Sequence, residues 1–242
     1  MEHFVRRLLE QSGLTATELA RRSGLSRSTQ FRIDTDAIDP RVGTLRDLAI
    51  AAGVDIRVDL EPLSDPDAAR AARTMLDGRY SVEPTKTVSQ WIARLRRFAG
   101  EDPVDIVRAA GECSSLLKRR GAAYLSGHVD EAKLVGAATF TPEPWILSGR
   151  GAMERLAHAS SLSAPYVVYS GDAHRLIRIL DNMTQVKPGK ATLIIAQYTE
   201  DLDIDAWEDG RARLVAPVQT LIDGFGLGGP LAEAAETIAR SW

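Results

Sequence analysis

The chain has 242 residues, 44% hydrophobic and 26% charged, with a net charge of −3, an ordinary globular composition long enough for two domains. Its single cysteine, Cys113, excludes an internal disulfide and a cysteine-rich metal site. No run is long and apolar enough to span a bilayer and no apolar leader opens the chain, so it reads as cytoplasmic, with no membrane partner.

The charge is unevenly placed. Residues 1–33 carry six arginines against three glutamates, and 66–120 carry eleven Lys/Arg against seven Asp/Glu. From Thr199 to Trp242 nine acids face three arginines. A basic front and an acidic back point to two different partner surfaces.

In chain order, a first helix is expected over Phe4–Gln11. Thr15 and Glu18 have capping-box spacing, Leu19 and Ala20 give the next helix an apolar side, and Gly24 stops it. Ser26 then caps a helix running to about Ile33. That helix carries Arg27, Ser28, Gln30, Phe31 and Arg32, a polar load beyond what core packing needs. After Pro40, Thr44 is expected to cap a helix with Leu45, Leu48, Ala49 and Ala52 on one face. Gly53 ends it, and "DIRVDL" (Asp55–Leu60) alternates like a short strand. "EPLSDPD" (Glu61–Asp67) reads as a linker, closing a first helical domain over 1–62.

A helical middle region is expected over 63–140. One helix covers Ala68–Leu76, and another carries the stripe Trp91, Leu95 and Phe98. A third opens at Asp102-Pro103 and runs to Lys118-Arg119-Arg120, where cations suit the negative end of the helix dipole. From about Trp145 the pattern alternates. Helices are expected over Gly151–Ser161, Asp172–Asn182, Pro217–Gly224 and Pro230–Ser241, and strands at "YVVY" (Tyr166–Tyr169), "ATLIIA" (Ala191–Ala196) and "ARLVA". The fold class is therefore an α-helical N-terminal helix-turn-helix domain and helical middle, followed by a mixed α/β domain over 141–242.

No catalytic constellation emerges, and no enzyme activity, metal or cofactor is expected. "GFGLGG" (Gly224–Gly229) lacks the Lys-Ser/Thr of a phosphate loop and reads as a turn between helices, with Asp223 as its cap. His128, Asp130 and Glu131 read as a solvated turn, since no second ligand pair has metal spacing. Ser148 in "LSGRG" has a leucine in place of the first glycine of a nucleophile elbow. The acidic run "EDLDIDAWEDG" (Glu200–Gly210) sets negative charge beside Trp207. It reads as an interface anchor ringed by charge, or as a solvated loop with a half-buried tryptophan.

"LTATELARRSGLSRST", "RIDTDAIDP" and "TLRDLAIAAGVDI", covering Gly13 to Ile56, resemble the helix-turn-helix of lambda-repressor-like regulators of the xenobiotic-response-element type. The resemblance implies a second motif helix lying in the major groove of operator DNA. It places Arg27 and Ser28 at base-contacting positions and Arg32 one turn on. Ser26, Arg41 and Thr44 would grip phosphate or act as caps. Phe31 would touch a thymine methyl or pack on a dimer partner. Two positions depart from the pattern: Ala16 stands where a glutamine is frequent, and Gln30 where a branched aliphatic is.

Across Trp145–Trp242, "WILSGRGAMERL", "VVY", "TLIIAQ" and "RLVAPVQTLIDGFGLGGPLAEAAETI" resemble the C-terminal domain of AbiEi-type antitoxins of type IV toxin–antitoxin pairs. Those proteins usually begin with a winged helix, so the DNA reader here departs from them. Together the two resemblances imply a repressor and antitoxin that autoregulates its operon and counters a nucleotidyltransferase-like toxin. Double-stranded operator DNA, that toxin and a second copy of the chain are the expected partners, with Trp207 and Gln219 as candidate partner-binding residues. The alternative is a one-component regulator whose C-terminal domain binds a small-molecule effector.

Overall fold

Gly13 (φ +67°) and Gly24 (φ +70°) each end a short helix in the left-handed backbone region, where a side chain would be strained. In a computed structural model of the chain, which describes residues 3–241, these glycines separate α1 (Phe4–Ser12), α2 (Ala16–Ser23) and α3 (Arg27–Asp34). Met1, Glu2 and Trp242, at the ends of the expected domains, lie outside the described residues. A fourth helix, α4 (Val42–Ala51), follows a polar connection. Val5, Leu8, Leu19, Ile33, Leu48 and Ala49 form the core of this first unit, Met1–Glu61.

The second unit, Pro62–Trp242, opens with three helices, α5 (Pro66–Leu76), α6 (Lys86–Ala99) and α7 (Pro103–Cys113). The chain then alternates through β1 (Ala123–Ser126), α8 (Glu131–Thr139), β2 (Trp145–Gly149), α9 (Arg150–Leu156), β3 (Tyr166–Ser170) and α10 (Ala173–Ile179). It continues through β4 (Thr184–Gln185), β5 (Leu193–Gln197), β6 (Trp207–Asp209) and β7 (Ala212–Leu214), and closes with α11 (Pro217–Leu227) and α12 (Gly229–Ala239).

The strands form one mixed sheet in the order β4-β1-β5-β3-β2-β7-β6. Strand β3 is buried along its whole length, pairing parallel with β5 and antiparallel with β2. A short continuous apolar run suits such a doubly covered position. One sheet face packs Leu147, Val168, Leu193 and Ile195 against Leu134 and Val135 of α8 and Leu176 of α10. The opposite face sets Ile146, Val167, Tyr169 and Ile194 against Leu116, Leu202 and Val215. A third core joins α5, α6, α7, α11 and α12 around Trp91, Leu95, Ile106, Leu221 and Ile222. No helix among the described residues is long and apolar enough to cross a membrane.

Several expectations are corrected. The stretch 63–140 is not a separate helical region: its strand β1 pairs with β4 and β5, and one compact unit runs from Pro62 onward. Helix α7 stops at Cys113 rather than at Arg120. Ser115 leaves helical backbone (ψ 124°), and its hydroxyl donates to the Gly226 carbonyl, tying the chain to α11. Asp55–Leu60 forms no strand, because no strand among the described residues of the first unit offers it a ladder. Thr44 lies within α4, whose N-cap position belongs to Arg41. Only Gly228 and Gly229 of "GFGLGG" make the turn. Gly224 and Gly226 sit inside α11 for close packing: a Cβ on Gly226 would meet the Gly111 carbonyl at 2.7 Å, and one on Gly111 would meet that of Ile222 at 2.5 Å.

Candidate functional site

Local capping sets the geometry of the first unit. Thr15 Oγ1 accepts from the Glu18 amide at 3.2 Å, while the Thr15 amide donates to Glu18 Oε2 at 2.8 Å. The Thr15 amide and hydroxyl hold the exposed Glu18 carboxyl below its ordinary pKa. On α3, Ser26 Oγ accepts from the Thr29 amide at 3.1 Å. That cap fixes the helix start and the direction of the first-turn side chains.

Helix α3 has two distinct sides. Gln30 and Ile33 are buried against the core, whereas Arg27, Ser28, Phe31 and Arg32 are all exposed. At about 100° per residue these four fall within one arc of less than half the circumference. Phe31 is 68% exposed, a large apolar area for a surface helix. Arg27 and Arg32 make no ion pair among the described residues, so both guanidiniums are available to something outside the chain. Arg41 is exposed at the start of α4 and its side chain gives that helix no cap; Thr44, half-buried, sits one turn in. No acid occupies the first turn of α3 or of α4, leaving the positive ends of both dipoles uncountered.

Gln30 is 2% exposed, and among the described residues neither its Oε1 nor its Nε2 has a partner. A branched aliphatic of similar volume would fill the same space without a desolvated amide.

In the second unit the residues expected at a partner surface are engaged by their own chain. Gln219 is 4% exposed and donates to Asp223 Oδ1 at 2.9 Å, so it is corrected from a partner-binding residue to a core one. Asp223, expected as a turn cap, is also buried; it accepts from Ser148 of β2 and from the Tyr169 hydroxyl of β3 (2.9 Å). Burial pushes its carboxyl up, against the opposing pull of those hydrogen bonds. Trp207 is half-buried, with Nε1 donating to the Val215 carbonyl at 3.1 Å.

The acidic run is likewise held from within. Arg70 grips Asp201 (3.0 Å), Arg79 pairs with Asp205, Arg213 with Asp203 (3.2 Å) and Arg155 with Asp209. The fully buried Arg73 donates to the carbonyls of Asp201 (2.9 Å) and Ile204 (2.6 Å). Burial pushes the Asp201 carboxyl up, but the hydrogen bonds from Arg70 and Thr199 outweigh it, and its pKa lies below the ordinary value.

A groove of about 740 Å³, which sequence reading missed, lies between α8 and the β6–β7 hairpin, lined by Val135, Gly136, Phe140, Arg155, Asp209 and Arg211. Phe140 is 74% exposed, and Arg155 joins Glu131 (2.7 Å) and Asp209 at one wall. The only sequence signal for it was an aromatic residue just beyond the end of a short helix. Asp130 and Glu131 serve structure here, as the α8 cap and the Arg155 partner, with His128 exposed beside them. Compared with known family models, curated proteins and solved structures, the chain matches none.

Proposed function

We propose that the chain is a DNA-binding transcriptional repressor whose second unit acts as the antitoxin domain of a type IV, AbiE-like pair. The observation that carries the DNA half is the exposed face of α3. Two arginines with no ion pair among the described residues, a serine and an aromatic ring share one side of a short helix whose other side is core. A helix of this kind fits the major groove, where arginine makes paired hydrogen bonds to guanine and an apolar group meets the thymine methyl. Ser26, Arg41 and Thr44 flank that face and suit phosphate contacts. The antitoxin half is supported by the order of residues over Trp145–Trp242, and its counterpart would be a nucleotidyltransferase-like toxin. The groove beside α8 favours a second reading, a one-component regulator whose effector has an apolar body.

Fluorescence anisotropy with double-stranded DNA from the chain's own promoter, at fixed salt, tests the first reading. Arg27→Ala and Arg32→Ala should each cost about 1–3 kcal/mol of specific binding with the circular dichroism spectrum unchanged. Full affinity and unaltered sequence preference in both variants would remove α3 from the groove.

A further inference from the structure

The segment after α4 has the sequence of a strand and the surroundings of none. Asp55 is fixed by Arg46, whose Nε and Nη2 reach its two carboxylate oxygens at 3.1 and 3.4 Å. Ile56 packs half-buried on the core of the first unit. From there the chain runs on to Glu61 without helix, turn or bend, with Val58 67% and Leu60 97% exposed. Among the described residues, no amide or carbonyl of Arg57–Leu60 has a hydrogen-bond partner. Alternating apolar and charged side chains on a backbone with free ladder groups make an open template for another strand.

We propose that Ile56–Leu60 is the pairing strand of a homodimer, completed by the same segment of a second copy running antiparallel with Val58 on the two-fold axis. Charge complementarity selects this partner and this register. Residues directly opposite in an antiparallel pair share a face. With Val58 opposite Val58, Arg57 stands opposite Asp59 twice over, while Ile56 meets Leu60 twice on the other face. An axis at Arg57 sets arginine against arginine and Asp55 against Asp59. An axis at Ile56 sets Arg57 against Asp55, but Asp55 is already held by Arg46 and accepts from the Ile56 amide. An axis at Asp59 sets aspartate against aspartate, one at Leu60 sets Asp59 against Glu61, and an axis between residues puts apolar side chains opposite charged ones. One position further out in the selected register, Asp55 faces Glu61, and Arg46 already neutralises Asp55. The apolar row begins at Ile56, so pairing continues the existing core across the axis and covers Val58 and Leu60. This dimer needs no DNA, so it stands or falls separately from the repressor reading.

Sedimentation equilibrium of the full-length protein without DNA tests it. The wild-type chain should be a dimer, and Arg57→Asp or Asp59→Arg alone should raise the dissociation constant about tenfold, since each places like charges opposite one another twice. The double variant Arg57→Asp/Asp59→Arg restores opposite charges and should recover wild-type association. Register has its own readout. Val58→Cys should cross-link to itself under copper–phenanthroline, because residues opposite one another across the axis lie within disulfide reach. Arg57→Cys, which faces Asp59, should cross-link far more slowly. A monomeric wild type, a dimer indifferent to both single reversals, a double variant as weak as the singles, or equal cross-linking at 57 and 58 would each overturn the proposal.

Discussion

Gln30 and Asp223 are both polar side chains buried in a core, and their surroundings make opposite predictions. Among the described residues Gln30 has no partner for either end of its amide, so Gln30→Leu should stabilise the first unit by about 1–2 kcal/mol, measured as a higher urea midpoint. A lower midpoint would mean that the amide meets a partner in solution. Asp223 has three donors around it, yet its carboxyl is pushed up because burial outweighs them. A group whose folded pKa is raised lends stability that is complete below its unfolded value, near 4, and is lost as pH rises through the folded value. The Asp223→Asn variant keeps a neutral amide there, so the stability difference between wild type and variant should fall as pH rises from about 4. Denaturant titrations of both proteins across that range give the difference directly, and a pH-independent difference would contradict a raised pKa.

Helix α11 shows how an element's glycines can mislead at the level of sequence. A run of four glycines in six residues suggests a loop, yet the first two lie within the helix, Gly224 against Met153 and α12 and Gly226 where α7 crosses. Backbone meets backbone there: no flexible side chain can move aside for an added methyl on Gly111 or Gly226. Gly111→Ala and Gly226→Ala should each cost about 1–3 kcal/mol despite the better helix propensity of alanine. Calorimetry would show a lowered melting temperature in both; an unchanged one would mean that the helices can part freely. The same crossing explains the early end of α7, since the Ser115 hydroxyl donates to the Gly226 carbonyl as the chain turns away.

For the whole molecule, the proposed roles separate between the two compact units. If arginines of the first unit neutralise phosphates, log affinity should fall linearly with log salt, with a slope of about −0.9 per phosphate. Gel shifts at a series of salt concentrations measure it, and a flat profile would argue against phosphate contacts. If the second unit is an antitoxin domain, the full-length Arg27→Ala variant should lose operator binding and still protect cells from the product of the neighbouring gene, because its lesion is confined to α3. A wild-type chain that gives no protection, or a neighbouring gene whose product is harmless, would favour the effector-binding regulator.

The reach of sequence alone follows from which interactions are local. The Thr15–Glu18 capping box, the Ser26 cap, the glycine stops and the apolar runs of β3 and β5 act over a few residues, and spacing was enough to find them. Whether a strand-like segment is paired depends on what lies beside it: β1 found neighbours in β4 and β5, and Asp55–Leu60 found none in its own unit. Long-range charge pairing likewise turned an acidic run that looked free for a partner into one gripped by Arg70, Arg73, Arg79, Arg155 and Arg213. Gln219 and Asp223 look like surface residues beside a turn until α11 folds onto Ser148 and Tyr169, more than fifty residues away in the chain. The sequence determined the short helices α2 and α3, their Thr15 and Ser26 caps and the arginines that α3 exposes. Tertiary structure decided which polar side chains are buried, because burial depends on contacts between residues far apart in the chain.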